Sequence, residues 1–288
     1  MSRTDIYQEV TDFIISKLTD QIVPWQMPWK CGTAKNLVSG KSYRGINAFL
    51  LPLYGFESPN WLSFKQVSAL GGKVKKGATA AEIVFWKNVF VTKKNADEKE
   101  ITESFPVIRY YQVFNCDQVE NLNHKENNLH SETLKFVPIE SCEKIIATMP
   151  SPPQIIHEYN KACYQPSTDK VFMPGKERFL AEEDYYSTLF HELGHATGHV
   201  SRLNRANLME LCPFGSTNYS KEELVAEMTA AFLCNKTGIS NKTIDNSTAY
   251  INSWINVLRG DKRFVIQAAG QAQKAADYIQ GIETKHCD

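Results

Sequence analysis

Tyr186-Ser187-Thr188-Leu189-Phe190-His191-Glu192-Leu193-Gly194-His195 decides how this chain is read, because its last five residues have the form H-E-x-x-H. A separation of four residues sets His191 and His195 one above the other on a single helix face, so two neutral imidazoles can converge on one metal ion. Glu192 then stands beside the metal without binding it, as the candidate catalytic base: it can take a proton from an activated water and hand it to a leaving amine. The flanks read as one continuous helix. Glu182 and Glu183 fall early in it, where negative charge suits the positive end of the helix dipole, and Tyr185, Leu189 and Leu193 recur at intervals of four.

Two histidines need a third ligand. His199 lies about 12 Å along a straight helix from His191, too far to share an ion, and reads as a capping or outer-shell histidine. Ser201 stands where the longer H-E-x-x-H-x-x-G-x-x-H arrangement needs histidine, which excludes that class. The third ligand is therefore expected downstream, in Ser220-Lys221-Glu222-Glu223-Leu224-Val225-Ala226-Glu227. Ser220 followed by Glu223 is also a capping-box spacing, which would explain Glu223 without any metal. On the functional reading Glu223 binds the ion, and Glu227, one turn later, holds a ligand histidine through its other ring nitrogen. Exchanged roles for Glu223 and Glu227 stay open on a helical wheel. The segment is similar to the third-ligand helix of gluzincin metallopeptidases, which favours Glu223. Zinc is the expected ion, with manganese or cobalt compatible with the same ligands.

The composition suits a cytoplasmic protein. The chain has 288 residues, 42% hydrophobic and 22% charged, enough for two domains with real cores. No apolar run is long enough to span a bilayer, and Asp5, Glu9 and Asp12 do not suit a signal peptide, so no membrane partner is expected. The seven cysteines (Cys31, Cys116, Cys142, Cys163, Cys212, Cys234 and Cys287) are odd in number and never in a C-x-x-C pair. Reduced thiols follow, rather than a disulfide framework or a cysteine metal site.

A net charge of zero hides an asymmetry. Residues 5–23 read as an amphipathic helix with Thr4 as its cap, and Pro24 to Lys30 set Trp25 and Trp29 in a proline-stiffened stretch suited to a hydrophobic clasp. From Lys30 to Lys94 eleven cations face only Glu57 and Glu82, interleaved with nine aromatic residues from Tyr43 to Phe90. Cations that follow phosphates and rings that take unstacked bases are what a single-stranded nucleic-acid surface requires. Asn60 to Leu70 reads as a short helix, Glu82–Lys87, Val89–Thr92 and Phe105–Phe114 as strands around a charged loop. The outcome is a small α+β domain.

Tyr43-Arg44-Gly45-Ile46-Asn47, Trp61-Leu62-Ser63-Phe64-Lys65-Gln66, Gly71 to Gly77, Val84-Phe85-Trp86-Lys87 and Val113 to Gln118 occur in the order of the blocks of the N-terminal domain of the antirestriction protein ArdC family, which this half resembles. His191 to His199, Arg202-Leu203-Asn204-Arg205, Glu222 to Glu227 and Ala268 to Ile279 extend the resemblance to the C-terminal half. The resemblance implies a single-stranded-DNA-binding domain joined to a zincin-like metallopeptidase domain, in proteins of mobile elements that shield incoming DNA from restriction. The candidate DNA contacts are Arg44, Asn47, Trp61, Lys65, Lys73, Lys75, Lys76, Trp86 and Lys87. Cys116 departs from the aliphatic residue expected there.

The expected organisation is an α+β chain: residues 1–120 bind single-stranded DNA, 121–137 form a flexible linker, and 138–288 form a gluzincin-like metallopeptidase domain. Within the last, residues 139–149 read as a helix, Ile155–His157 and Lys170–Pro174 as strands. Lys170–Met173 reads either as a substrate-positioning edge or as a core strand. Tyr219 is the candidate oxyanion donor, with Tyr185 and Tyr186 as alternatives. Two helical patterns between Ser247 and Ile282 close the chain. Three functions compete: a DNA-binding metallopeptidase with an unidentified protein substrate, a DNA protector whose metal site is structural or regulatory, and a peptidase without a DNA role.

Overall fold

Asp5 opens the first helix, α1 (Ile6–Thr19), by accepting from the backbone N–H groups of Tyr7 and Gln8 at 3.1 and 3.4 Å. The cap is therefore Asp5, one residue later than the expected Thr4, which lies outside the described residues. The computed structural model describes residues 5–26, 33–94, 100–122, 138–157, 161–205, 217–239 and 248–283. After a 3₁₀ turn at Pro24–Gln26 come β1 (Lys35–Asn36), α2 (Ile46–Leu50), β2 (Asn60–Ser63), α3 (Phe64–Ala69) and β3 (Lys73–Val74). A long hairpin, β4 (Ala81–Lys94) and β5 (Glu100–Asn115), and then β6 (Val119–Glu120) complete the N-terminal half. The C-terminal half contains α4 (Pro138–Thr148), β7 (Gln154–Ile156), β8 (Cys163–Gln165), β9 (Lys170–Phe172) and α5 (Glu182–Ala196). It ends with α6 (Thr217–Thr237), α7 (Thr248–Gly260) and α8 (Phe264–Ile279), so the chain is α+β as expected.

The N-terminal sheet runs β1-β2-β5-β4. Asn60–Ser63, expected as the start of a helix, is instead a strand paired antiparallel with Val113–Asn115. The helix begins only after Ser63, whose side chain and Gln66 form a reciprocal capping box. β4 and β5 pair without a break from Ala81↔Val113 to Lys94↔Glu100, which merges the strands expected at 82–87 and 89–92 into one. The smaller sheet of the other half runs β7-β9-β8, so β9 is central and paired on both sides. Val171 and Met173 are fully buried. Of the two readings of Lys170–Met173 the core strand holds and the edge does not: the edge on this side is β8, too short and too polar in sequence to be read as a strand.

One core crosses the anticipated boundary between halves. Val10, Ile14 and Leu18 of α1, Trp25, and Ile46 and Phe49 of α2 pack with Leu224 and Met228 of α6, Trp254 and Leu258 of α7, and Val265 of α8. Trp25 is completely buried, its ring edge-on to Trp254 at 5.3 Å, so it serves as the anticipated clasp, fastened onto the C-terminal helices. Trp29 and the linker from residue 123 to 137 lie outside the described residues. Two further clusters complete the interior: one around α5, α4 and β9, the other between β2, β4 and β5. No described helix is long and apolar enough to cross a membrane.

Candidate metal centre

Three acidic residues, Glu182, Glu183 and Asp184, occupy the first turn of α5 and complement its positive end, although Ala181 offers no side-chain cap. Tyr185, Leu189 and Leu193 bury one face and carry His191 and Glu192 into the interior with them. Against this face lies α6. Gly194 marks the crossing: a Cβ built there would stand 3.2 Å from Ala226 Cα and 3.3 Å from Thr229 Cβ. The helix of Glu223 begins at Thr217, so Ser220 falls within its first turn and does not cap it. The capping-box explanation of Glu223 is thereby removed.

This close crossing brings His191, His195 and Glu223 together, with one donor atom from each lying within 4.8 Å of the others. The two Nε2 atoms are 3.1 Å apart. One oxygen of Glu223 lies 3.5 Å from Nε2 of His191 and the other 3.5 Å from Nε2 of His195. Behind each imidazole stands another carboxylate: Glu227 Oε1 is 3.5 Å from His191 Nδ1, and Glu222 Oε1 is 3.5 Å from His195 Nδ1. Both rings thus turn Nε2 toward one point and Nδ1 toward an acid whose charge favours that orientation.

Glu192, Glu222, Glu223 and Glu227 are all buried, an excess of negative charge in a small volume. Burial disfavours a proton on His191, yet Glu223, Glu227 and Glu192 overcome it and push that imidazole up to about 9. A field that favours a proton so strongly favours a divalent cation more, and two imidazoles with one carboxylate is a donor set that fits one. Burial also opposes ionisation of Glu222, but the bond with His195 and the Arg205 guanidinium outweigh it and hold the carboxyl below its usual range. Arg205 donates from Nε to Glu222 Oε2 at 3.1 Å, from Nη1 to Thr197 at 2.7 Å, and from Nη2 to the Gly194 carbonyl at 2.8 Å. Sequence reasoning missed Glu222 and Arg205; the only signal was a third carboxylate beside Glu223 and a second arginine in Arg202-Leu203-Asn204-Arg205.

Arg202 fastens the neighbouring strands. It forms a bidentate pair with Asp169 at 2.8 and 2.9 Å and donates to the Ser151 carbonyl at 2.9 Å, which locks the β8–β9 turn to the end of α5. Burial and then the nearby Glu192 charge push the Cys163 thiol up, consistent with β8 running beside that carboxylate.

Other expected site residues fall elsewhere. His199 bonds Ser201 at 2.8 Å and supports neither ligand histidine; the outer acids are Glu222 and Glu227. The side chain of Tyr219 lies outside the described residues. Tyr185 hydroxyl is engaged with His157 at 2.8 Å, and Tyr186 hydroxyl with Glu143 and Lys176. In the N-terminal half two expected DNA contacts are interior: Trp61 is 2% exposed, and Asn47 bonds both the N–H and the carbonyl of Val84. Each was chosen for chemistry that burial has put to structural use. Arg44 pairs with buried Asp277 of α8 and joins the halves, so its charge is already answered. Lys65, Lys73, Lys75 and Lys76 are all exposed, and Lys75 donates to the Asp117 carbonyl at 2.8 Å. Trp86 and Lys87 lie in β4, their side chains outside the described residues.

The helix crossing yields a direct expectation. Gly194→Ala forces α5 and α6 apart by a few tenths of an ångström, lowering stability by about 1–3 kcal/mol and weakening metal binding together. Urea unfolding of the chelator-treated protein, beside a metal titration, measures both; an unchanged midpoint and affinity would remove the crossing as a determinant of the site.

Residues 140–271 match the family model of a zincin-like metallopeptidase, and residues 4–114 match that of the N-terminal domain of anti-restriction factor ArdC. DNA primase TraC of Escherichia coli is 34% identical over 97% of this chain and 27% of its own length. The chain therefore spans about a quarter of that relative. An uncharacterized protein, y4eC of Sinorhizobium fredii (strain NBRC 101917 / NGR234), is 33% identical over 98% of this chain and 93% of its own length. Among solved structures, the metal-free crystal structure of antirestriction ArdC protein from the R388 plasmid has a TM-score of 0.78 at 31% identity, covering 98% of this chain and all of that one. The Mn(II)-bound structure of the same protein gives 0.75 at 32%, covering 96% and 97%.

Proposed function

We propose that this chain, which belongs to the ArdC antirestriction family, binds single-stranded DNA through its N-terminal half and hydrolyses a protein at the metal centre, shielding incoming DNA from restriction in the cytoplasm. The observation that carries the hydrolytic part is the convergence of His191, His195 and Glu223 on one point beside the buried, non-ligating Glu192. His191, His195 and Glu223 would hold the ion, zinc or manganese. Bound there, it supplies Lewis acidity toward a peptide carbonyl and an attacking water.

The remaining work falls to the chain itself. Glu227 and Glu222 face the imidazoles on their Nδ1 sides, where their charge favours the orientation that points each Nε2 at the ion. Glu192 accepts the proton of the attacking water and delivers it to the leaving amine. The outer side of β8, tied in place through Arg202 and Asp169, offers backbone groups with which an extended peptide can pair.

The test is incubation of the manganese- or zinc-loaded chain with an unfolded protein, with and without oligo-dT. Cleavage that stops on chelation and returns with metal is the expected result. Intact substrate under every condition, with oligo-dT still bound, would eliminate hydrolysis and leave a DNA-binding protector.

A further inference from the structure

The long β4–β5 hairpin runs beyond the small core that covers its base, and its register sorts its side chains. Directly paired residues of an antiparallel ladder share a face. Ala81↔Val113, Ile83↔Tyr111 and Phe85↔Arg109 therefore define one side, which Val107 continues two residues before Arg109, while Val84↔Tyr110 and, two residues before Tyr110, Ile108 define the other. On the second side Val84 and Ile108 pack into the core with α1 and α2. On the first side the core ends at Ala81, Ile83 and Val113.

Beyond that point the first side turns aromatic and cationic in the open. Phe85 is 46% exposed and Tyr111 51% exposed, and their rings meet edge to face with centroids 5.6 Å apart. Arg109, directly opposite Phe85, is exposed, and among the described residues it enters no ion pair. Val107 continues the strip at 37% exposed. Two large half-exposed rings beside a guanidinium that enters no ion pair among the described residues leave apolar faces and positive charge open to solvent. The arrangement does suit a partner that presents flat apolar faces and negative charge at once.

We propose that this face, carried by Phe85, Tyr111 and Arg109, is where unstacked bases of single-stranded nucleic acid stack, with Arg109 on the adjoining phosphate. It rests on the single-strand reading above and replaces buried Trp61 and Asn47 as its agents. A duplex keeps its base faces covered and cannot use the two rings. The surrounding charge agrees: Lys35, Lys41, Lys65, Lys73 and Lys76 are exposed on the same half, and among the described residues none forms an ion pair.

The test compares the full chain with Phe85→Leu/Tyr111→Leu, Phe85→Ala/Tyr111→Ala and Arg109→Gln. The ligands are oligo-dT and an abasic deoxyribose-phosphate strand of equal length, over a range of salt. Each lost ring should weaken oligo-dT binding by about tenfold and erase the preference over the abasic strand. The Leu pair guards against misfolding, since it keeps apolar bulk on the sheet. Arg109→Gln should reduce the slope of log affinity against log salt by about 0.7. Parent protein that binds oligo-dT, with folded ring variants that bind it equally well, overturns this face and spares the DNA reading. Parent protein that binds neither strand overturns both.

Discussion

Glu192→Gln is expected to lose peptide hydrolysis by about 100- to 10,000-fold, the range by which a positioned acid–base group acts, while retaining its divalent ion at parental affinity. The side chain keeps its size in a buried site, so packing is preserved and only proton transfer is removed. Glu223→Ala should do the reverse of sparing the ion, because Glu223 faces both Nε2 atoms at 3.5 Å. Its metal affinity should drop by more than the roughly 10- to 100-fold expected for Glu227→Gln or Glu222→Gln, which only orient the rings. Metal titration of the four variants, beside their peptidase rates, checks the order. Equal losses for Glu223→Ala and Glu227→Gln would mean that the ligand and supporting roles are not divided as the distances indicate.

Arg205→Met should produce the largest loss of stability, about 3–5 kcal/mol, because it leaves the buried carboxylate of Glu222 without its guanidinium. The same change unties the Gly194 carbonyl and Thr197 at the end of α5. Converting Glu222 to Met as well should recover part of the loss, since a well-packed apolar pair avoids stranding a charge. Denaturant unfolding of the two single variants and the double variant, all stripped of metal, measures the coupling. Strict additivity in that cycle would show that Arg205 acts on the helix end alone.

The ligand pair was legible because its geometry is local: four residues on a helix fix the placement of His191 relative to His195 whatever surrounds them. Glu223 was favoured over Glu227 only through its likeness to a gluzincin third-ligand helix, since a helical wheel left both open. Arg205 and Glu222 were not legible, because their pairing joins segments 17 residues apart and leaves no period to read. The DNA-binding list failed where composition stood in for direction. Trp61 and Asn47 have suitable chemistry, but only strand pairing and the covering helices show that they face inward, and that Phe85, Tyr111 and Arg109 share an open side. β8 escaped notice because Cys163-Tyr164-Gln165 has neither length nor alternation, and its strand form comes from the partner β9. That one core would join the two halves was not legible, because an amphipathic helix announces that it has an apolar face without naming what will cover it.

That cover is distant in sequence. α1 and Trp25 shut against α7 and α8, and Arg44 reaches Asp277, so neither end of the chain can complete its interior without the other. A genetic exchange that split the gene between the halves would yield two fragments with raw apolar surfaces, each prone to aggregation. Inheritance should therefore favour transfer of the whole as an indivisible cassette.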